Sequence, residues 1–201
     1  MAAFLTLTGA VIQAEIQTEN TNITVRLFNR SGLAASPLVE GEKQAEEILQ
    51  RAGIHVVWLN CPTGIQECIE PPNSTHLVLT ILKQGSAMGG EDMLGLAVQD
   101  AEGSGTYCYV FENKLNQISG QLHTNISRLL GYAMAHELGH LLKGSHSHST
   151  TGVMSALWSR YELEQLARGA LAFTLEDASL MQVRLGLAKK DEPELQATRI
   201  R

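Results

Sequence analysis

His136-Glu137-Leu138-Gly139-His140, inside the longer run from Ile126 to Lys143, is an H-E-x-x-H sequence in a place where the hydrophobic spacing predicts a helix. Ile126, Leu129, Leu130, Ala133, Met134, Leu138 and Leu141 recur at intervals of three and four and define a buried side. Gly144 is a stop signal, so a helix is expected from about Gln121 to Lys143. Positions i and i+4 differ by about 40° around a helix, so His136 and His140 leave the same side and can share one cation at roughly 2.0–2.1 Å. Glu137 lies about 100° further round, beside such a cation and not on it, where a carboxylate can take a proton from a water. The expected centre is a hydrolytic Zn2+ site carried by a helix.

A hydrolytic zinc draws three ligands from the protein and keeps one position open, so a third donor should follow. The loop from Ser145 to Val153 offers His146 and His148. His146 stands six residues after His140, as in the metzincin pattern H-E-x-x-H-x-x-G-x-x-H, but Lys143 occupies the pattern's glycine position and the glycine comes one residue later. His148 lies four residues after Gly144 and six before Met154. Gly152-Val153-Met154 is placed like a Met-turn, whose methionine makes an apolar floor beneath the metal without binding it. The alternative is a non-catalytic zinc-stabilised peptide- or protein-binding module, with both loop histidines closing the metal site. Glu137, which a structural site does not need, favours the enzyme.

Outside this segment the chain alternates. Ile23 to Asn29 has period two, with Ile23, Val25 and Leu27 on one face and Thr24 and Arg26 on the other. Ser36 and Pro37 then open a helix with Ala45, Ile48, Leu49 and Ala52 on its apolar side, ending at Gly53. His55 to Asn60, His76 to Leu82, Met93 to Gln99 and Thr106 to Phe111 are four further strand candidates. The apolar run in the second of these suggests burial on both faces, and the Gly-rich surroundings of the third suggest an edge. A polar-apolar stretch runs from Met154 to Arg168, and a last helix starts at the capping box Thr174-Leu175-Glu176-Asp177 and turns Leu175, Ala178, Met181 and Leu185 inward. This is an α/β (α+β) pattern: a twisted, mostly parallel five-stranded mixed sheet, a backing helix, the helix of the motif and a C-terminal helix.

With 201 residues, 44% of them hydrophobic and 18% charged, the chain suits one packed domain. We place it at 23–188, with a charged tail at 189–201. Residues 1–22 stay unassigned, the remnant of an export signal being one reading: Met1 to Ala14 are small and apolar but lack a basic n-region and a clear A-x-A site. Fifteen basic against 21 acidic residues, a net −6, with no basic cluster, exclude nucleic acid as a partner. No apolar run reaches the roughly 18 residues of a membrane span. Cys61 and Cys68 flank a Pro/Gly turn and can close a loop in an oxidising compartment, or stay free thiols in a reducing one. Cys108 is expected to be a buried thiol, and Trp158 to pack the Met154 turn against the core. Tyr161 reads as a half-buried helix tyrosine rather than an oxyanion donor. His55, His76 and His123 receive no role.

From His136 to Trp158 the sequence resembles a group of small bacterial metzincin-like zinc metallopeptidases and, more distantly, the matrixins. The resemblance extends to Ala52-Gly53-Ile54, Val57-Trp58, Asn60-Cys61-Pro62, Tyr109-Val110-Phe111, Gly169-Ala170-Leu171 and Phe173-Thr174, and so covers about Thr24 to Leu187. It implies a zinc metalloendopeptidase with His136 and His140 as ligands, Glu137 as general base and Met154 in the Met-turn. Leu94-Gly95-Leu96-Ala97 would form the edge strand that holds a peptide substrate. The nearer group implies His148 as third ligand; the matrixin spacing implies His146. A monomer is expected, in a secreted or periplasmic location, with the cytoplasm as the alternative.

Overall fold

Alternation in the first strand sets the layering. The computed structural model describes residues 22–62, 68–85 and 93–186. In it β1 (Asn22–Asn29) buries Ile23, Val25 and Leu27 on one face. α1 (Ala35–Arg51) crosses that face with Ala45, Ile48 and Leu49 buried, and leads into β2 (His55–Asn60). β2 is parallel to β1, with Val25 opposite Trp58. A parallel pair needs a crossover long enough to return to the same sheet end, which is what α1 supplies.

β3 (His76–Leu82), β4 (Gly95–Val98) and β5 (Tyr107–Phe111) complete a five-stranded sheet in the order β2-β1-β3-β5-β4. All neighbours are parallel except β4, which runs antiparallel to β5 at the edge. The near-continuous apolar run of β3 is explained by its central place, with Leu77, Val78, Leu79 and Ile81 all buried. α3 (Ile126–Lys143) lies against α1 on the same side of the sheet, and its buried face merges with that of α1 and the inward strand residues into one core.

The structure adds to these expectations and in places corrects them. The helix predicted from Gln121 is two helices: α2 (Glu112–Leu122), ended by His123 in a left-handed conformation (φ 51°), and α3, capped by the Asn125 side chain accepting from Ser127 N. Arg26, on the opposite face of β1, is buried as well; its guanidinium donates to the Glu70 carbonyl beyond the Cys61–Cys68 loop. The Met154–Arg168 stretch contains α4 (Arg160–Ala167), started by a capping box between Ser159 and Glu162. In α5 (Leu175–Arg184) Met181 is buried, but Leu175 is 91% exposed. As first residue of that helix it projects past the packed side, and Asp177 takes the inward place.

Cys61 and Cys68 are joined in a disulfide, and Cys108 is a buried free thiol. No described helix is long and apolar enough to cross a membrane. The unassigned segment 1–22, except its last residue, the tail 189–201 and most of the Gly85–Gly95 stretch lie outside the described residues.

Candidate metal centre

α3 carries His136 and His140 one turn apart, turned towards the loop that follows the helix. The Nδ1 of His136 lies 2.7 Å from the Val153 carbonyl oxygen, and the Nδ1 of His140 lies 3.0 Å from that of Ser145. A carbonyl oxygen only accepts, so each Nδ1 bears the ring proton and each Nε2 presents a lone pair. Those two Nε2 atoms face one another at 3.2 Å. Two lone pairs in that position repel unless a cation lies between them. Zinc bonds of roughly 2.0–2.1 Å at a tetrahedral angle would set the nitrogens about 3.3 Å apart, so the donor pair fits the metal.

His148 joins them. One donor atom from each of His136, His140 and His148 falls within 4.8 Å of the others, and the His148 ring centre lies 5.3 Å and 4.8 Å from those of His136 and His140. His146 is exposed and outside this group, although it reaches the rim of the cleft. His55, His76 and His123 are not part of it either.

Met154 is fully buried, with its sulfur against Gly139 of α3. Gly139 makes this possible: a Cβ there would come within 2.5 Å of the Met154 sulfur and 2.9 Å of Phe173 Cε1. The Val153 carbonyl receives both His136 Nδ1 and, at 3.3 Å, Trp158 Nε1. Trp158 also packs edge-on against Tyr132 with centroids 6.2 Å apart, so it is packing residue and cleft wall together. Tyr161 is 63% exposed and does not line the cleft, which corrects its half-buried assignment.

Glu137 is buried between α3 and the edge strand and accepts a hydrogen bond from the Ala97 backbone N–H. Gly95 clears the room, since a Cβ there would lie 2.6 Å from both Cγ and Oε1 of Glu137. The Leu94 carbonyl accepts from Phe111 N on the β5 side, so by alternation Gly95 and Ala97 turn their N–H and C=O groups outward. Gln99, just past β4, donates from Nε2 to the His140 carbonyl at 2.7 Å and fastens the edge strand to the helix. Neither the tie from Gln99 to α3 nor the bond from the edge-strand residue Ala97 to Glu137 is legible in the sequence, because tertiary contacts of this kind leave no periodic mark.

Burial governs the charges. It pushes the Glu137 carboxyl up to about 8 and the His136 imidazole down to about 4; His140 and His148 are also lowered, first by desolvation. Cys108 is raised for the same reason, and further by Glu137, which keeps it an inert thiol. Metal binding needs neutral imidazoles, so protons compete only as the pH falls through these lowered values. In the Glu137→Gln background, which removes the carboxyl's own proton release, zinc affinity should therefore fall less than about a hundredfold from pH 7.5 to 5.5. Three imidazoles at the ordinary 6.5 would lose about a thousandfold over that interval. Chelator-competition titrations across the interval read the difference, and a thousandfold loss would mean solvated rings.

A cleft of about 650 Å3 runs from the histidines along α3 past Ala133. Ile118 and Leu122 of α2 form one wall, Leu157, Trp158 and Leu163 the other. Leu122 and Leu157 are 38% and 87% exposed, so the cleft presents apolar side chains that no described residue covers.

No family model matches the sequence, and no curated protein matches it either. The fold, however, has solved counterparts. Archaemetzincin from Methanopyrus kandleri is similar with a TM-score of 0.54 at 17% identity, over 84% of this chain and 98% of that one. A zinc-dependent peptidase from Methanocorpusculum labreanum is similar with a TM-score of 0.52 at 14% identity, over 78% of this chain and 99% of that one. The chain thus has a zinc-metallopeptidase-like fold.

Proposed function

We propose that the chain is a zinc-dependent metalloendopeptidase of metzincin type, with His136, His140 and His148 as ligands, Glu137 as general base and Met154 in a Met-turn. The observation that carries this reading is the pair of Nε2 lone pairs facing each other at 3.2 Å with His148 alongside, next to a buried carboxyl that no structural metal site requires.

Zinc held by these rings would supply a Lewis acid for the scissile carbonyl and would acidify the attacking water. The substrate lies extended along Leu94, Gly95, Leu96 and Ala97, where the outward N–H of Gly95 and the outward C=O groups of Gly95 and Ala97 hold its backbone without reading its sequence. Glu137 takes the water's proton as the oxygen attacks the carbonyl carbon, then gives it to the leaving amine nitrogen. Its burial suits it to this exchange, because a carboxyl raised towards neutrality returns a proton readily. The apolar cleft beside the metal takes a bulky apolar side chain next to the cut bond. His146, outside the ligand group, is free for a role at the rim, and the closed non-catalytic site that would need it as fourth ligand is disfavoured.

The disulfide supports a secreted or periplasmic location, since cytosolic thiols are kept reduced. Digestion of casein and of a mixed peptide library by zinc-loaded protein tests the activity. Cleavage should stop with chelator, return with zinc, and leave large apolar residues beside the new termini. Stoichiometric zinc without any cleavage would instead support the non-catalytic binding module.

A further inference from the structure

His136 and His140 are each fixed by a hydrogen bond from their own ring, but among the described residues the His148 ring takes none. It is also the exposed member of the group. Its direction must therefore come from the backbone on either side, which makes the anchoring of Ser147 and Ser149 decisive.

Both are tied to one buried ion pair. Lys143 Nζ and Asp177 Oδ1 are 2.6 Å apart, with side chains only 4% and 1% exposed. Ser149 Oγ donates to the same Asp177 oxygen at 2.7 Å, and Lys143 Nζ reaches the Ser147 carbonyl at 3.5 Å. The other carboxylate oxygen of Asp177 accepts from Thr174 Oγ1 at 2.7 Å, and Thr174 Oγ1 in turn accepts from Asp177 N at 3.1 Å, which locks the carboxylate to the start of α5. Ser149 N further donates to the Met154 carbonyl at 2.8 Å. Lys143 lies one turn beyond His140 on α3, so the pair links the helix of the first two imidazoles to the loop of the third through a rigid charge contact.

We propose that Asp177, together with Lys143, is a positioning residue for the metal centre: it sets the His148 ring at coordinating distance by clamping the residues on both sides of it. The inference rests on the metal-binding reading above, not on peptide hydrolysis. A charge pair this deeply buried needs every partner, because a lone Lys143 ammonium in its place would be unmatched. Outer partners of metal ligands of this kind typically change affinity by 10–100-fold.

The test measures zinc affinity by chelator competition and the visible spectrum of the Co2+-substituted protein, with thermal unfolding in parallel. Asp177→Asn should weaken zinc by about 10–100-fold and alter the Co2+ bands of the four-coordinate site. Ser149→Ala, which removes one hydroxyl and leaves the ion pair intact, should weaken zinc several-fold while the melting temperature holds. Should Asp177→Asn fail to fold, Ser149→Ala alone decides. Variants that fold and keep wild-type zinc affinity and spectrum would overturn the proposal. Wild-type protein that binds no zinc would sink the metal-centre reading itself, and wild-type protein that binds zinc but cuts nothing would sink only the peptidase reading.

Discussion

Glu137→Gln should lower kcat/KM for peptide hydrolysis by about 10²–10⁴-fold while leaving one zinc per chain. The substitution keeps the shape of the side chain and an oxygen that can accept from Ala97 N–H, but removes the group that moves the proton. Burial raises the native carboxyl to about 8, so a neutral side chain of the same shape suits the site better than a charged one would. Zinc content by atomic absorption, alongside peptide kinetics, separates the two effects. Retained hydrolysis with the glutamine in place would remove Glu137 from the chemistry.

The second large effect concerns the loop histidines. His148→Ala should reduce zinc affinity by more than the roughly 10–100-fold typical of residues that merely orient a ligand, and hydrolysis should vanish with the metal. His146→Ala should keep zinc and fold, because its ring stands outside the cluster formed by His136, His140 and His148. Metal analysis of the two purified variants distinguishes them directly. The opposite outcome, loss of zinc with His146→Ala alone, would mean the loop rearranges by two residues around the ion.

The helical part of the centre was readable from sequence because i,i+4 spacing converts directly into side-chain direction, and α3 obeys it from Leu129 to Leu141. β1, α1 and β3 were readable for a similar reason: burial of one face, or of both, writes itself as period two, period three to four, or an unbroken apolar run. α2 is masked in the sequence, although Leu115, Ile118 and Leu122 are spaced as a helix face and Asn125 is a helix-starting residue, because its apolar spacing runs on into that of α3 across a break of only a few residues. α4 carries the readable start signal Ser159-x-x-Glu162, but at eight residues it is too short for its apolar spacing to stand out. Asp177 stands where a capping box puts its acidic residue, and Thr174 does cap its N–H, but its carboxylate is shared among Lys143, Ser149 and Thr174. Spacing along the chain cannot announce a partner 34 residues away. The third histidine was ambiguous for another reason: a loop has no period, so position in sequence says little about direction in space.

The acceptors for His136 and His140 show why the count of residues between ligands is a poor ruler. Both rings are oriented by main-chain oxygens, at Val153 and at Ser145, and Trp158 shares the first of them. A main-chain oxygen asks nothing of the side chain that bears it. Positions 145 and 153 are therefore free to change identity while the two rings stay aimed, whereas His148 and Ser149 between them are not, so relatives of this chain are better sought by the shape of the turn than by a regular expression written in letters.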